Sequence, residues 1–124
     1  MPESIVIVAA RRTPIGGFQG IFSPVSATQL GSFAAAAALA DSGLSPDAID
    51  EVIFGCVLPA GLGQAPARQA AVGAGIAMSV PATTVNKMCG SGMKAVMLAA
   101  DQIRSGSARA VLAGGLESMT NAPY

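Results

Sequence analysis

The chain has 124 residues, of which 52% are hydrophobic and only 11% charged, where a typical soluble domain carries about 25% charge. That length suits one domain with its own core. The shortage of polar side chains predicts that apolar surface is covered by something else, either a second copy or a further part of the protein. Seven basic and seven acidic residues give a formal net charge of zero with no long run of one sign, which leaves no electrostatic footprint for nucleic acid or an anionic membrane.

Two cysteines are too few for a disulfide framework, and the opening Met1-Pro2-Glu3 lacks the basic lead of a secretory signal. Apolar stretches such as Phe33 to Ala40 stop early, here at Asp41, far short of the roughly 20 residues that span a bilayer. A cytoplasmic protein without a transmembrane helix is the expectation.

In chain order, Ser4 to Ala10 is an Ile- and Val-rich run ended by Arg11-Arg12 and Pro14, the pattern of a strand buried on both faces. A loop with Gly16, Gly17, Gly20 and Pro24 follows. Ser26 with Gln29 three residues on is a capping box that should open a helix, and Leu30, Phe33, Ala34 and Ala37 fall at helical spacing. Asp41 to Gly43 should end it, glycine being the favoured left-handed stop. Ser45-Pro46-Asp47 predicts a single helical turn before a strand over Glu51 to Leu58. Pro59, Gly61 and Gly63 break the chain, and Pro66 starts a short helix over Ala67 to Ala74. A third strand is predicted over Ala82 to Asn86, a helix over Gly90 to Ser105 stopped by Gly106, and a fourth strand over Arg109 to Gly114. Strand and helix alternate as βαβαβαβ, so the fold class is α/β, with a mainly parallel sheet flanked by helices.

The stretch that can carry chemistry is Val85-Asn86-Lys87-Met88-Cys89-Gly90-Ser91-Gly92-Met93-Lys94. It puts Cys89 where a strand hands over to a helix. Free N–H groups and the positive end of the helix dipole favour a thiolate there and can donate to a developing oxyanion. Gly90 and Gly92 leave room for a thioester to approach the sulfur, and Lys87 and Lys94 add positive charge nearby. Against this stands the ordinary fate of a free cysteine, a small buried hydrophobe. That fate is the expectation for Cys56, which alternates with Val52, Phe54 and Leu58. Gly61-x-Gly63 lacks the third glycine of a dinucleotide loop, with Pro66 in its place. Glu117, after the last strand, could be a base, a buried hydrogen-bond partner or an interface group, with the structural readings favoured. Met88, Met93, Met97 and Met119 read as core gap-fillers.

Asn86 to Val96 resembles the active-site segment of thiolases, and Gly114 to Tyr124 resembles the segment that follows it there. Ile7 to Gly16 and Gly63 to Ala70 are also similar to that family, so the resemblance spans essentially the whole chain. It implies a cysteine, matched here by Cys89, that is acylated by an acyl-CoA thioester. A second acetyl-CoA, deprotonated at its methyl carbon, then attacks the acyl-enzyme to give a 3-ketoacyl-CoA, and the reverse reaction is thiolysis. No permanently bound cofactor or metal is implied, only coenzyme A thioesters as substrates.

Thiolases draw their histidine and a second, acid/base cysteine from a C-terminal half, and this chain has no histidine; Cys56 does not match that second cysteine. The resemblance therefore implies that residues 1–124 are part of a thiolase N-terminal domain, without its final strand and without most of the coenzyme A site. Such a chain would be slow or inactive alone, would need a C-terminal thiolase half, and would work within a homo-oligomer. Two rivals are a thiolase-like interaction module that has lost the chemistry, and a ketosynthase-type condensing enzyme that uses an acyl-carrier protein. The wording of Asn86 to Gly92 favours thiolase over the second.

Overall fold

The computed structural model describes residues 4–124; the Met1-Pro2-Glu3 opening lies outside them. Helix α1 runs over Ala27–Ser42, a 3-10 turn over Pro46–Ala48, and strand β1 over Glu51–Gly55. Helix α2 covers Pro66–Gly73, β2 Ala82–Val85, α3 Ser91–Ser105 and β3 Val111–Gly115. The strands form one sheet in the order β2-β1-β3, with both pairings parallel. This is the α/β architecture expected from the alternation.

The helix boundaries follow the local chemistry. Ser26 Oγ accepts from the Gln29 N–H at 3.2 Å while Gln29 Oε1 accepts from the Ser26 N–H at 2.9 Å, so each residue satisfies a donor that the helix start leaves unpaired. Gly43 at φ 72° and Gly106 at φ 82° stop α1 and α3 in the left-handed region, where a Cβ would be strained. Asp50 Oδ2 accepts from the N–H groups of Arg109 and Ala110 at 2.7 and 3.1 Å, fixing the entry to β3 beside the entry to β1. Those two bonds hold the Asp50 carboxyl below its ordinary value.

β1 is the central strand and is buried on both faces. Val52, Phe54 and Cys56 join a core with Ala27, Ala35, Leu39, Ala67, Ala70, Ala71 and Leu116 on the side of α1 and α2. Ile53, 2% exposed, points to the opposite face, where α3 presents Ala95 and Ala99. Each large side chain buried in this way contributes about 1.5–3 kcal/mol. The small residues on the helices let them lie close to the sheet and to each other. A Cβ on Gly31 of α1 would sit 3.2 Å from Ala70 Cβ of α2 and 2.7 Å from Leu116 Cδ2.

The first expected strand is corrected. Residues 4–17 form no regular element, and Val6, Ile7 and Val8 are 68%, 77% and 63% exposed. A strand exists only where a neighbour takes its N–H and C=O groups, and among the described residues β3 pairs with β1 alone. The described pattern is therefore three strands, not the four of βαβαβαβ. Apolar identity reported a segment suited to burial without saying which strand would bury it. The segment after it lies against α1, and Arg11 forms an ion pair with Asp41, an exposed contact worth little by itself.

Candidate active site

After β2 the chain makes a compact turn before α3 begins at Ser91. Cys56 N–H donates to Val85 C=O at 2.9 Å, carrying the β1 pairing to the last residue of β2. Gly90 N–H donates to Lys87 C=O at 3.0 Å and Ser91 N–H to Met88 C=O at 3.1 Å. Two side chains complete the turn. Asn86 Oδ1 accepts from Met88 N–H at 3.0 Å, and Asn86 Nδ2 donates to Val57 C=O at 3.2 Å. Ser91 Oγ accepts from Lys87 N–H at 2.8 Å and donates to Met88 C=O at 2.6 Å. Between them Met88 sits at φ 49°, a conformation that costs a non-glycine residue about 1–3 kcal/mol and persists only where its surroundings impose it.

Cys89 lies in this turn, exposed, one residue before the N-cap Gly90. Gly90 offers no side chain to cap the helix, so the N–H groups at the start of α3 are not taken by one. A helix start of this kind concentrates unpaired donors and positive dipole. The sequence placed Cys89 at such a junction, and there the structure puts it, away from the apolar core.

Glycines bring the sheet up beneath the turn. A Cβ on Gly55, at the end of β1, would lie 2.5 Å from the carbonyl carbon and from Cβ of Ser91. A Cβ on Gly115, at the end of β3, would lie 3.3 Å from Gly55 C=O and 3.5 Å from Gly92 Cα. At Gly55 only glycine permits this approach of a strand end to the helix start, whereas at Gly115 a Cβ would be tight. The sequence shows these glycines but not what each one touches.

Glu117 is a hydrogen-bond partner of the backbone that follows β1. Its carboxylate accepts from Val57 N–H at 2.8 Å and from Leu58 N–H at 2.9 Å, and the Cys56 thiol lies 3.7 Å from Oε2. Cys56 is 2% exposed, as expected for a core residue. Burial first, and then the neighbouring Glu117 charge, push its thiol up to about 11, so it is a poor nucleophile at neutral pH.

Lys87 is exposed and Lys94 half-buried; among the described residues neither forms an ion pair. The loop with Gly61 and Gly63 is shaped by Gln69, whose Nε2 donates to Leu62 C=O at 2.6 Å and to Gln64 C=O at 2.8 Å. Its carbonyls thus turn inward onto a side chain. The methionines are corrected: Met88, Met93, Met97 and Met119 are 68%, 72%, 53% and 61% exposed. Met93 and Met97 lie on the side of α3 away from Ala95 and Ala99, which are buried. Asn86 and Ser91 as shapers of the turn were missed, although a polar residue on each side of the cysteine was visible.

Comparison with known proteins identifies the family. The family model of the thiolase N-terminal domain matches residues 5–124. Acetyl-CoA acetyltransferase 2 of Arabidopsis thaliana is 58% identical over 122 residues, which cover 98% of this chain and 30% of that protein. Mitochondrial acetyl-CoA acetyltransferase B of Xenopus laevis is 55% identical over 122 residues, 98% of this chain and 29% of its own length. The crystal structure of the Acat5 thiolase from Ascaris suum in complex with coenzyme A superposes with a TM-score of 0.92 at 44% identity, covering 94% of this chain and 31% of that one. The chain thus spans about 30% of the length of the curated relatives it matches. On sequence and fold together, it belongs to the thiolase N-terminal domain family.

Proposed function

We propose that these residues are the nucleophile-bearing part of a thiolase-type acyl-CoA C-acyltransferase, with Cys89 as the group that accepts the acyl chain. The observation that carries the reading is the position of Cys89, exposed in a strand-to-helix turn one residue before the α3 N-cap. The relatives named acetyl-CoA acetyltransferase support it, as does the thiolase solved with coenzyme A.

In the proposed reaction the Cys89 thiolate attacks the carbonyl carbon of an acyl-CoA. The negative charge that develops on the carbonyl oxygen needs preorganised donors, and the Cys89 N–H is a candidate. Collapse of the tetrahedral adduct expels coenzyme A thiolate and leaves a thioester on Cys89. Acetyl-CoA that has lost a methyl proton to a base then attacks this thioester, giving a 3-ketoacyl-CoA and returning the cysteine. Run in reverse, coenzyme A cleaves a 3-ketoacyl-CoA.

The base is not among these residues, since the sequence has no histidine and Cys56 is a core thiol hydrogen-bonded to Glu117. We therefore place the histidine and the second cysteine on a C-terminal half that this part docks with, in a homo-oligomer. Both cysteines are free, which suits a reducing compartment, and the cytoplasm is the one we propose. Among the described residues no helix is long and apolar enough to cross a membrane.

The test is acyl capture. Incubation with acetyl-CoA in the presence of the C-terminal half should leave one acetyl group on Cys89 by peptide mass mapping and none in Cys89→Ser. Ketoacyl-CoA thiolysis should need addition of the C-terminal half. No adduct on Cys89, together with alkylation of that residue no faster than free cysteine, would remove the reading.

A further inference from the structure

Met88 adopts a left-handed backbone at φ 49° although its side chain is 68% exposed, so packing does not hold it there. Hydrogen bonds on both of its peptide groups do. Its N–H donates to Asn86 Oδ1 at 3.0 Å, and its C=O accepts from Ser91 Oγ at 2.6 Å and Ser91 N–H at 3.1 Å. Each anchor is itself tied to the sheet. Asn86 Nδ2 donates to Val57 C=O at 3.2 Å, and the Val57 and Leu58 N–H groups are held by Glu117 at 2.8 and 2.9 Å. Ser91 is 4% exposed and lies over Gly55.

We infer that Asn86 is a positioning residue for Cys89: with Ser91 it clamps Met88 in the left-handed conformation and so sets the direction in which the next residue's sulfur leaves the turn. The inference rests on Cys89 being the nucleophile. Asn86 acts through the Met88 peptide, not on the acyl group. The unbroken path from Glu117 on β3's exit, through Val57 after β1, to Asn86 and Met88 makes this more than a loop stabilised by an Asx turn, a role that Asn fills commonly. An Asx turn lowers loop stability when lost and leaves the sulfur's chemistry alone; a clamp changes both.

The two separate in one experiment on the intact protein, measuring the thermal midpoint and the rate of iodoacetamide alkylation at Cys89 by peptide mass mapping. Asn86 is exposed, so Asn86→Ala leaves the core in place. It should slow Cys89 alkylation about tenfold, the equivalent of one hydrogen bond. Adding Met88→Gly, which adopts positive φ without strain, should bring the rate back to within about threefold of wild type without restoring the lost bond. Should Asn86→Ala not fold, Ser91→Ala removes the other half of the clamp and is read in the same way. Wild-type rates in the clamp variants, or no recovery on adding Met88→Gly, overturn the clamp while leaving Cys89 as the nucleophile. A wild-type Cys89 no faster than free cysteine overturns both readings.

Discussion

Replacing Gly55 by alanine tests whether the turn that carries Cys89 depends on backbone contact with β1. The new Cβ would lie 2.5 Å from the Ser91 carbonyl carbon and Cβ and 2.7 Å from its oxygen. Carbon contacts are comfortable from about 3.5 Å, so the first turn of α3 must retreat by about 1 Å. Two of the three atoms are backbone, and no change of rotamer relieves them. Overpacking of this kind costs about 1–3 kcal/mol. The upper end applies, since Ser91 is 4% exposed and its hydroxyl bonds to Lys87 and Met88 would be stretched. With a urea slope of about 1.5 kcal/mol/M for a chain of this size, the unfolding midpoint should fall by about 2 M. Displacing the turn should also slow alkylation of Cys89, given that a misplacement of about 1 Å can cost about a hundredfold in a reactive geometry. Gly17→Ala is the control, because a Cβ there meets nothing within 4 Å. If both variants unfold at the same urea concentration and alkylate at the same rate, the steric argument is wrong.

Glu117→Gln keeps one acceptor but turns an NH2 group toward a backbone N–H that the carboxylate now satisfies. Bonds to a charged acceptor contribute about 1.5–3 kcal/mol, so urea unfolding should show a loss in that range; a change below about 0.5 kcal/mol would mean that Val57 and Leu58 do not depend on it. The Cys56 thiol is raised from an ordinary 9.0 to about 11, so the folded chain holds that proton more tightly than the unfolded one. Its contribution to stability is complete below pH 9 and is lost as the pH rises toward 11. The urea midpoint should therefore decline more steeply in wild type than in Cys56→Ala across that window, and parallel curves would refute the assignment.

Much of the fold was legible because the local signals are strong and agree with one another. The Ser26–Gln29 box, Gly43, Pro66 and Gly106 each act within a few residues, and each marks an element end to within about two residues. Cys89 was legible for the same reason, as a cysteine between a strand pattern and a helix pattern. What the sequence hid depends on residues far apart in the chain. Ser4 to Ala10 has the composition of a buried strand, yet pairing is a property of two segments, and no β partner takes it among the described residues. Met93 and Met97 share a helix with Ala95 and Ala99, and in a helix so rich in small residues hydrophobicity did not reveal which face meets the sheet. Glu117 meets Val57 and Leu58 across some 60 positions, a separation at which spacing in the sequence carries no information.

β1 takes hydrogen bonds from a neighbour on either side and is covered above and below, and the turn at Cys89 hangs from its end through Gly55, Val57 and Asn86. The turn is thereby moored to a core strand, the kind of element whose opening free energy lies at the high end. Fluctuations that lift it away would have to disturb the middle of the sheet as well, whereas residues 4–17 have no strand pairing to disturb. An exposed sulfur is in this way given the steadiness of an interior one.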